Sequence, residues 1–309
     1  MSCLGFDTSN YTTSVALYDG NSARNCSKLL EVRPGELGLR QSDALFAHVK
    51  QLPALAAQLL DETPPGITAA AASSRPRAVE GSYMPCFLAG TSQAQVLAAA
   101  LGVPFYAFSH QQGHLAAVLQ GAGRLELLHR PFLAWHLSGG TTELLLVKPG
   151  PDGPAAERIG GTTDLAAGQL IDRTGRLLGL NFPAGKALDA LAADAEDEEK
   201  PFRVRLSALE FSLSGVENQM KDRLTRGVPP ERIAAFALDT IAETVFRTTA
   251  AAAREYPGLP VVFSGGVSSN SRLRARCAGS DVIFSSPALS TDNAIGVAVL
   301  GWLKKEGAF

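Results

Sequence analysis

The sequence has no Cys-x-x-C pair. Its four cysteines, Cys3, Cys26, Cys86 and Cys277, are scattered over 309 residues, which excludes a zinc ribbon and a disulfide framework. No uninterrupted apolar run reaches membrane-spanning length. The opening Met-Ser-Cys-Leu-Gly-Phe-Asp has neither the basic nor the apolar region of a secretory signal. A cytoplasmic protein without a membrane partner is therefore expected. Positive charge is not in excess either: 28 Lys and Arg stand against 30 Asp and Glu, a formal charge of −2. No global field draws nucleic acid to such a chain, and an RNA substrate would need a local patch or a basic partner. What remains, 46% hydrophobic and 19% charged residues, describes an ordinary globular protein with room for one large or two medium domains.

The most telling stretch is Phe108-Ser109-His110-Gln111-Gln112-Gly113-His114, which follows an apolar, strand-like run over 103–108. His110 and His114 are four residues apart, so on a helix both imidazoles project from one face, one turn apart. Imidazole is the commonest nitrogen ligand for a transition metal, and two on one turn make half a coordination shell. Gly113 lets another backbone, or a ligand, come close beside them. The likeness to the H-E-x-x-H helix of zinc proteases is superficial, because Gln111 occupies the place of the general base and an amide cannot take a proton from water. Taken alone the pair is as compatible with a structural role as with metal binding; the chain must supply a third ligand. Asp292, in Ser290-Thr291-Asp292-Asn293 before the last helix (294–304), is either that helix's cap or the missing carboxylate.

Three small polar turns follow strands. Asp7-Thr8-Ser9-Asn10-Tyr11-Thr12-Thr13 joins strands expected at 3–6 and 14–18, and Ser138-Gly139-Gly140-Thr141-Thr142 joins 132–137 to 143–147. The two hairpins lie roughly 130 residues apart and suggest a duplicated architecture. Their amides and hydroxyls can surround a phosphate or a metal-bound oxyanion, with Asp7 placed to hold a metal or a water; each can equally be a plain polar turn. Ser264-Gly265-Gly266-Val267-Ser268-Ser269-Asn270, after a strand at 261–263 and before a helix from Ser271, has the form of a nucleotide-binding turn. Asp164 suits an N-cap, and Asp172 inside the following helix has Arg173 and Arg176 for an internal ion pair. Leu45, Phe46, Val49, Leu52, Leu55 and Leu59 have helical spacing, with a break expected at Pro53 and His48 on the surface or at a domain boundary. Arg33-Pro34-Gly35-Glu36 reads as a turn, 193–200 as an acidic solvent-facing stretch, and Ser73 to Tyr83 as a polar loop too particular for a spacer.

Assembled, these residues resemble the Kae1/TsaD family, once labelled glycoprotease, over nearly the whole chain and in the family's order. The metal helix H-x-E-G-H is similar to His110–His114, S-G-G-H-T to Ser138–Thr142, and D-D-A-A-G-E-A-F-D-K to Asp164–Arg173. F-S-F-S-G is similar to Phe211–Gly215, G-G-V-A-A-N-x-x-L-R to Gly265–Arg274, and T-D-N to Thr291-Asp292-Asn293. The resemblance implies a two-lobed actin/sugar kinase/Hsp70-like (ASKHA) α/β fold with duplicated RNase H-like cores. Its lobes would be residues 1–125 with 292–309, carrying the metal helix, and 126–291, carrying most of the nucleotide site. It implies a metal-dependent transferase that moves threonylcarbamoyl from a carbamoyl-adenylate to N6 of adenosine 37 in tRNA. His110, His114 and Asp292 would hold a divalent metal (Fe, Zn or Mg). Ser138, Gly139, Gly140, Thr141, Thr142, Gly265 and Gly266 would surround ATP or the acyl-adenylate. Asp172 would take the ribose hydroxyls, Gly185 and Asn270 would contact the nucleoside, and Asp7, Ser9 and Thr12 would serve catalysis. The partners implied are an adenine nucleotide, tRNA and the proteins of a threonylcarbamoylation complex.

The departures fall where the chemistry is expected. The family's E-T-S-C-D-E-T is here Asp7 to Thr13 without the later acids, Thr141 stands for a His, Gln112 and Gln169 for glutamates, and Ser73 to Tyr83 for a glycine-rich G-P-G-L loop. Each Glu-to-Gln change keeps shape and removes charge. Together they point to a divergent paralogue with nucleotide and metal sites kept and the acyl-transfer chemistry or the acceptor altered. Two alternatives stand beside the transferase: an ATP-dependent carbamoyl- or phosphotransferase on another small acceptor, and a non-catalytic nucleotide-binding partner subunit.

Overall fold

The computed structural model describes residues 1–9, 11–31, 39–61, 66–195, 199–286 and 293–309. Asn10, the turn at Arg33 to Glu36, residues 196–198 of the acidic stretch, and Ser290, Thr291 and Asp292 lie outside them. The chain splits into two compact units, Met1–Arg130 with Lys148–Ala156 and Thr291–Phe309, and Pro131–Val147 with Glu157–Ser290.

The first unit begins with β1 (Ser2–Asp7), β2 (Thr12–Tyr18), β3 (Ala23–Leu29), α1 (Gln41–Leu60) and β4 (Ile67–Arg75). It continues with α2 (Phe87–Leu101), β5 (Phe105–Ser109) and α3 (His110–Gly121). The second carries β6 (Phe132–Leu137), most of β7 (Thr142–Lys148) and β8 (Ala155–Thr162), then α4 (Ala167–Leu177), α5 (Gly185–Ala193), β9 (Leu206–Ser207) and β10 (Glu210–Phe211). After these come α6 (Ser214–Thr225), α7 (Pro230–Glu255), β11 (Val261–Ser264), α8 (Ser271–Cys277) and β12 (Val282–Phe284). The last helix, α9 (Ile295–Lys305), belongs to the first unit.

The two sheets share one plan. The first runs β3-β2-β1-β4-β5, and within the second β8-β7-β6-β11-β12 repeats that order. In both, the opening hairpin is antiparallel (β1–β2, β6–β7) and the later strands join in parallel (β1–β4–β5, β6–β11–β12). The duplication expected from the two hairpins is thus present in the hydrogen bonding. Both faces of the central strands are covered: every residue of β1 and β2 is buried, the polar ones included. In the second unit Trp135 on β6 is fully buried and donates its indole N–H to Thr249 of α7 at 2.8 Å, which satisfies the one polar atom of a large apolar ring.

Helix α1 corrects two expectations. Pro53 lies inside it without ending it, and its buried stripe is Ala44, His48, Leu52, Leu55 and Leu59. Phe46 is 66% exposed, whereas His48 is completely buried with Nδ1 2.8 Å from Thr13 Oγ1 on β2. A hydroxyl partner makes a core imidazole tolerable, and the stripe follows the i, i+4 step through it.

Helix α9 lies on β1 and β4 and crosses α3 at very close range. A Cβ on Gly296 would stand 1.7 Å from the Gly113 carbonyl oxygen, and one on Gly301 would stand 2.6 Å from Cys3 Sγ. Only glycine permits this approach. The N-terminal end of α9 is pinned by Ala294 N–H donating to Ser14 Oγ (2.9 Å) and Ile295 N–H to Asn293 Oδ1 (3.1 Å). Among the described residues no helix is long and apolar enough to cross a membrane. Gly296→Ala should therefore destabilise the protein by roughly 1–3 kcal/mol or more, the range for overpacking a core. Gly140→Ala, where a Cβ meets nothing within 4 Å, should be close to neutral. Equal urea midpoints for the two variants would contradict the close crossing.

Candidate functional site

In the first unit the side chains converge on the Asp7 carboxylate at the end of β1, which is 1% exposed. Oδ2 accepts from Ser73 Oγ at 2.7 Å and from His110 Nδ1 at 2.9 Å; Oδ1 accepts from Ser9 N–H at 3.1 Å and Ser9 Oγ at 2.5 Å. Four donors on one buried carboxylate compensate its lost hydration. The His110 and His114 rings stand 4.1 Å apart centroid to centroid at 67°, one turn apart on α3 as their spacing requires. Asp7, Ser9, His110 and His114 are brought together. Thr12 is not: it sits buried in the β2–β3 ladder opposite Leu29.

The arrangement fits a metal in part. A carboxylate on Nδ1 fixes an imidazole's tautomer and orientation and makes Nε2 the ligating nitrogen, the usual outer shell of a metal-bound histidine. Asp7 thereby has the geometry of an orienting group and not of a ligand sharing the metal with His110. Among the described residues no group of three or more His, Cys, Asp or Glu is arranged to hold a metal, and Asp292, the expected third ligand, lies outside them. Cys86 does not fill the gap. Burial, and then the Asp7 charge, push its thiol up to about 11, so no thiolate is present at neutral pH.

Gln112, expected as a glutamate that had lost its charge, is employed structurally. Its Oε1 accepts from Ser109 N–H at 2.8 Å while Gln112 N–H donates to Ser109 Oγ at 3.2 Å, a reciprocal capping box at the start of α3. Its Nε2 donates to Asp152 O (3.0 Å) and Pro154 O (3.2 Å), which a carboxylate could not do. The Ser-x-x-Gln spacing is the sequence signal for this role. Ser73 is a partner of Asp7 that sequence reasoning does not find, because a serine near a strand end carries no signal of its own.

In the second unit the turn between β6 and β7 closes on Ser138 N–H donating to Thr141 O (2.8 Å) and Thr141 N–H to Ser138 Oγ (3.1 Å). The amides of Gly139 and Gly140 stay outside those bonds, exposed, with nothing within 4 Å of where a Cβ would stand. Helix α4 begins against the same turn: Ala167 N–H donates to Thr142 Oγ1 at 2.8 Å, and a Cβ on Gly168 would meet Ser138 O at 2.4 Å. Gly265, at φ +86°, packs on the Leu137 carbonyl, while Gly266 is open. Exposed amides, a helix start and three open glycines suit an anionic ligand.

The remaining residues form a second group in that unit. Asp172 Oδ1 accepts from Ala184 N–H at 2.8 Å, next to Gly185 at the start of α5. Of the two arginines expected beside Asp172, Arg173 instead reaches Glu217 on α6 at 2.7 Å, since adjacent helical residues do not face one another. Asn270 caps α8 through Leu273 N–H and donates to Asp189 of α5 at 2.7 Å, so both ends of its amide serve the protein. Asp164 is not the N-cap of α4; Ala166 is. Asp164 accepts from Ser212 Oγ (2.5 Å) and from the N–H groups of Leu165 (2.5 Å) and Leu213 (3.0 Å). Burial opposes its charge, but hydrogen bonds led by Ser212 and Ser214 outweigh it and hold the carboxyl well below the usual range. A depressed carboxylate contributes stability above its unfolded pKa, near 3.9, and loses it as pH falls through the folded value. The stability gap between the protein and Asp164→Asn should be widest at neutral pH and shrink steadily below about pH 4. A gap independent of pH in denaturant titrations would contradict this.

The family model described as TsaD, tRNA N6-adenosine threonylcarbamoyltransferase, matches residues 37–299. The chain is 33% identical to the tRNA N6-adenosine threonylcarbamoyltransferase of Thermus thermophilus, over 99% of this chain and 94% of that protein. It is 32% identical to that of Chloroherpeton thalassium, over 99% and 93%. Among solved structures, full-length HypF in its phosphate- and nucleotide-bound form superposes with a TM-score of 0.62 at 16% identity, covering 99% of this chain and 46% of that one. The activator of 2-hydroxyisocaproyl-CoA dehydratase from Clostridium difficile, with bound ADPNP, gives 0.57 at 14% identity, over 100% and 97%. These likenesses are of fold, the two-lobed actin/sugar kinase/Hsp70 (ASKHA) class.

Proposed function

The chain belongs to the TsaD family of tRNA N6-adenosine threonylcarbamoyltransferases, and from that membership we propose that it transfers a threonylcarbamoyl group from its adenylate to N6 of adenosine 37 in tRNA. One observation supports this reading above the others. His110 and His114 stand together on α3 with Asp7 oriented on His110 Nδ1, in a chain that aligns with such enzymes from end to end.

The N6 amine attacks the carbamoyl carbon, the bond from that carbon to the phosphate oxygen breaks, AMP leaves, and the amine loses a proton. Asp7 holds His110 in one tautomer, and Ser9 and Ser73 hold Asp7. A divalent metal on His110, His114 and Asp292 would supply Lewis acidity toward phosphate or carbamoyl oxygens. The amides of Gly139, Gly140 and Gly266 are offered to the adenylate's phosphate. Asp172 keeps one oxygen on Ala184 and offers the other to a ribose hydroxyl. Gln112 and Gln169 take no part in proton transfer, since their side chains cap α3 and α4 and an amide neither gives nor takes a proton at neutral pH.

The assay supplies the protein, its host's partner proteins, the adenylate and unmodified tRNA, followed by digestion and quantification of modified adenosine. Product is expected. It should disappear in His114→Ala and fall by about 10–100-fold in Asp7→Ala, the range for removing an outer-shell partner. Tight, metal-dependent adenylate binding without product would move the acceptor to another small molecule and sink the tRNA reading.

A further inference from the structure

The loop between α4 and α5 carries a large aromatic ring that the fold of its unit does not use. The loop's first half closes on α4: Gly179 has φ +77°, and Leu180 N–H donates to Gly175 O at 2.8 Å. Its second half is held by Ala184, which is buried and donates its N–H to Asp172 Oδ1 at 2.8 Å. Ala184 also packs against Gly175, where a Cβ would overlap its methyl group. Asp172 and Gly175 are three residues apart, so both ends of the loop are pinned to one turn of α4. Between the pins Asn181, Phe182 and Pro183 are all exposed. Phe182 is 81% exposed, more than any other large hydrophobic side chain among the described residues, so its ring points into solvent. A single exposed apolar residue is ordinary on a protein surface. What sets Phe182 apart is its place, two residues before the amide that sits on the Asp172 carboxylate.

We propose that Phe182 is the stacking platform for the adenine base of the bound nucleotide, an inference that rests on the transferase reading above and extends it from the ribose to the base. The ring offers a flat apolar face, and its neighbours in the loop tip, Asn181 and Pro183, carry no charge. Such a surface suits a flat neutral group and not a phosphate. Nucleobases stack on aromatic side chains whatever their hydrogen-bonding edge, because every base has a π-face. The Cα atoms of Phe182 and Ala184 are at most about 7.6 Å apart, two trans peptide steps. A base is joined directly to the ribose whose hydroxyls Asp172 would take, so a nucleoside held at Asp172 can lay its base on Phe182. The two pins place the loop tip before the ligand arrives, which limits the ordering that binding would otherwise require. The exposure of the ring in the free protein then has a cause: the ligand covers it.

The test compares the full chain with Phe182→Ala and Phe182→Trp, titrated calorimetrically with AMP and, separately, with ribose 5-phosphate, which has the sugar and the phosphate without the base. Phe182→Ala should lose roughly 5- to 150-fold in AMP affinity, the range for stacking one base on one aromatic ring. Its affinity for ribose 5-phosphate and its thermal melting should be unchanged, because the ring is exposed. Phe182→Trp should keep its AMP affinity, and its added indole emission should be quenched by AMP and not by ribose 5-phosphate, with the unaltered chain as the blank. Unchanged AMP affinity in Phe182→Ala overturns the platform alone. Equal losses for both ligands mean that the loop has shifted, and also overturn it. Loss of modified adenosine in the tRNA assay at full AMP affinity assigns the ring to the acceptor's base, and overturns it too. No AMP binding by the unaltered chain overturns the nucleotide site on which the transferase reading rests, and the platform with it.

Discussion

The crossing of α3 and α9 at Gly113 and Gly296 is the constraint on which the first unit depends. A methyl on Gly296 would lie 1.7 Å from the Gly113 carbonyl oxygen, far inside van der Waals contact, so the two backbones touch without side chains between them. That contact fixes the helix carrying both histidines against the helix that follows the terminal Thr-Asp-Asn. Side-chain packing could place α3 to within a rotamer change, whereas a backbone-to-backbone contact leaves no such slack. The residues just past Asp292 are held by the same arrangement, through Ala294 on Ser14.

A buried carboxylate sets the chemistry on that frame. Asp7 receives four hydrogen bonds, three from serines and one from His110. A lone buried carboxylate would be left without partners, but here donors reach both oxygens and replace the hydration that burial removes. The same carboxylate orients the imidazole. The two later acids that the family carries in its first turn are missing here, and the network does not need them, because serines from β4 and from the turn itself satisfy Asp7.

Much of this is legible in the sequence, for reasons that differ by residue. The strands at 132–137 and 261–263 can be read to within a residue because both faces are buried and the run of apolar residues has clear ends. The histidine helix is visible from its four-residue step. His48 is misleading because Phe46 and Val49 outweigh it in the helical pattern, yet the buried stripe passes through His48 and leaves Phe46 in solvent. A partner on β2, Thr13, helps make that burial tolerable, and a partner 35 residues away has no local signature. Asp172 and Arg173 invite an ion pair by proximity in sequence, and helix geometry sends the arginine to Glu217 instead. Gln112 is the most instructive difference. Against the family pattern it looks like a lost acid, while its spacing from Ser109 already announces a capping box and its amide group donates to two carbonyls.

The duplicated plan also shows how one topology yields two kinds of site. Both units place a turn between their first two strands, and the turns differ in what they offer. The first, Asp7 to Tyr11, begins with a carboxylate and two hydroxyl residues, and it recruits an imidazole. The second, Ser138 to Thr141, holds a glycine pair whose amides remain outside the turn's own bonds. A carboxylate organises cations and proton-bearing rings; bare amides organise anions. The strand order β3-β2-β1-β4-β5 and its repeat account for where the two turns occur, and the residue types alone decide that one suits a metal ligand and the other a phosphate. Asp7 and the Gly139–Gly140 pair are therefore not interchangeable parts of a repeat. Moving a carboxylate into the second turn would set like charge against any anion its amides could receive, and moving glycines into the first would leave His110 without the group that orients it.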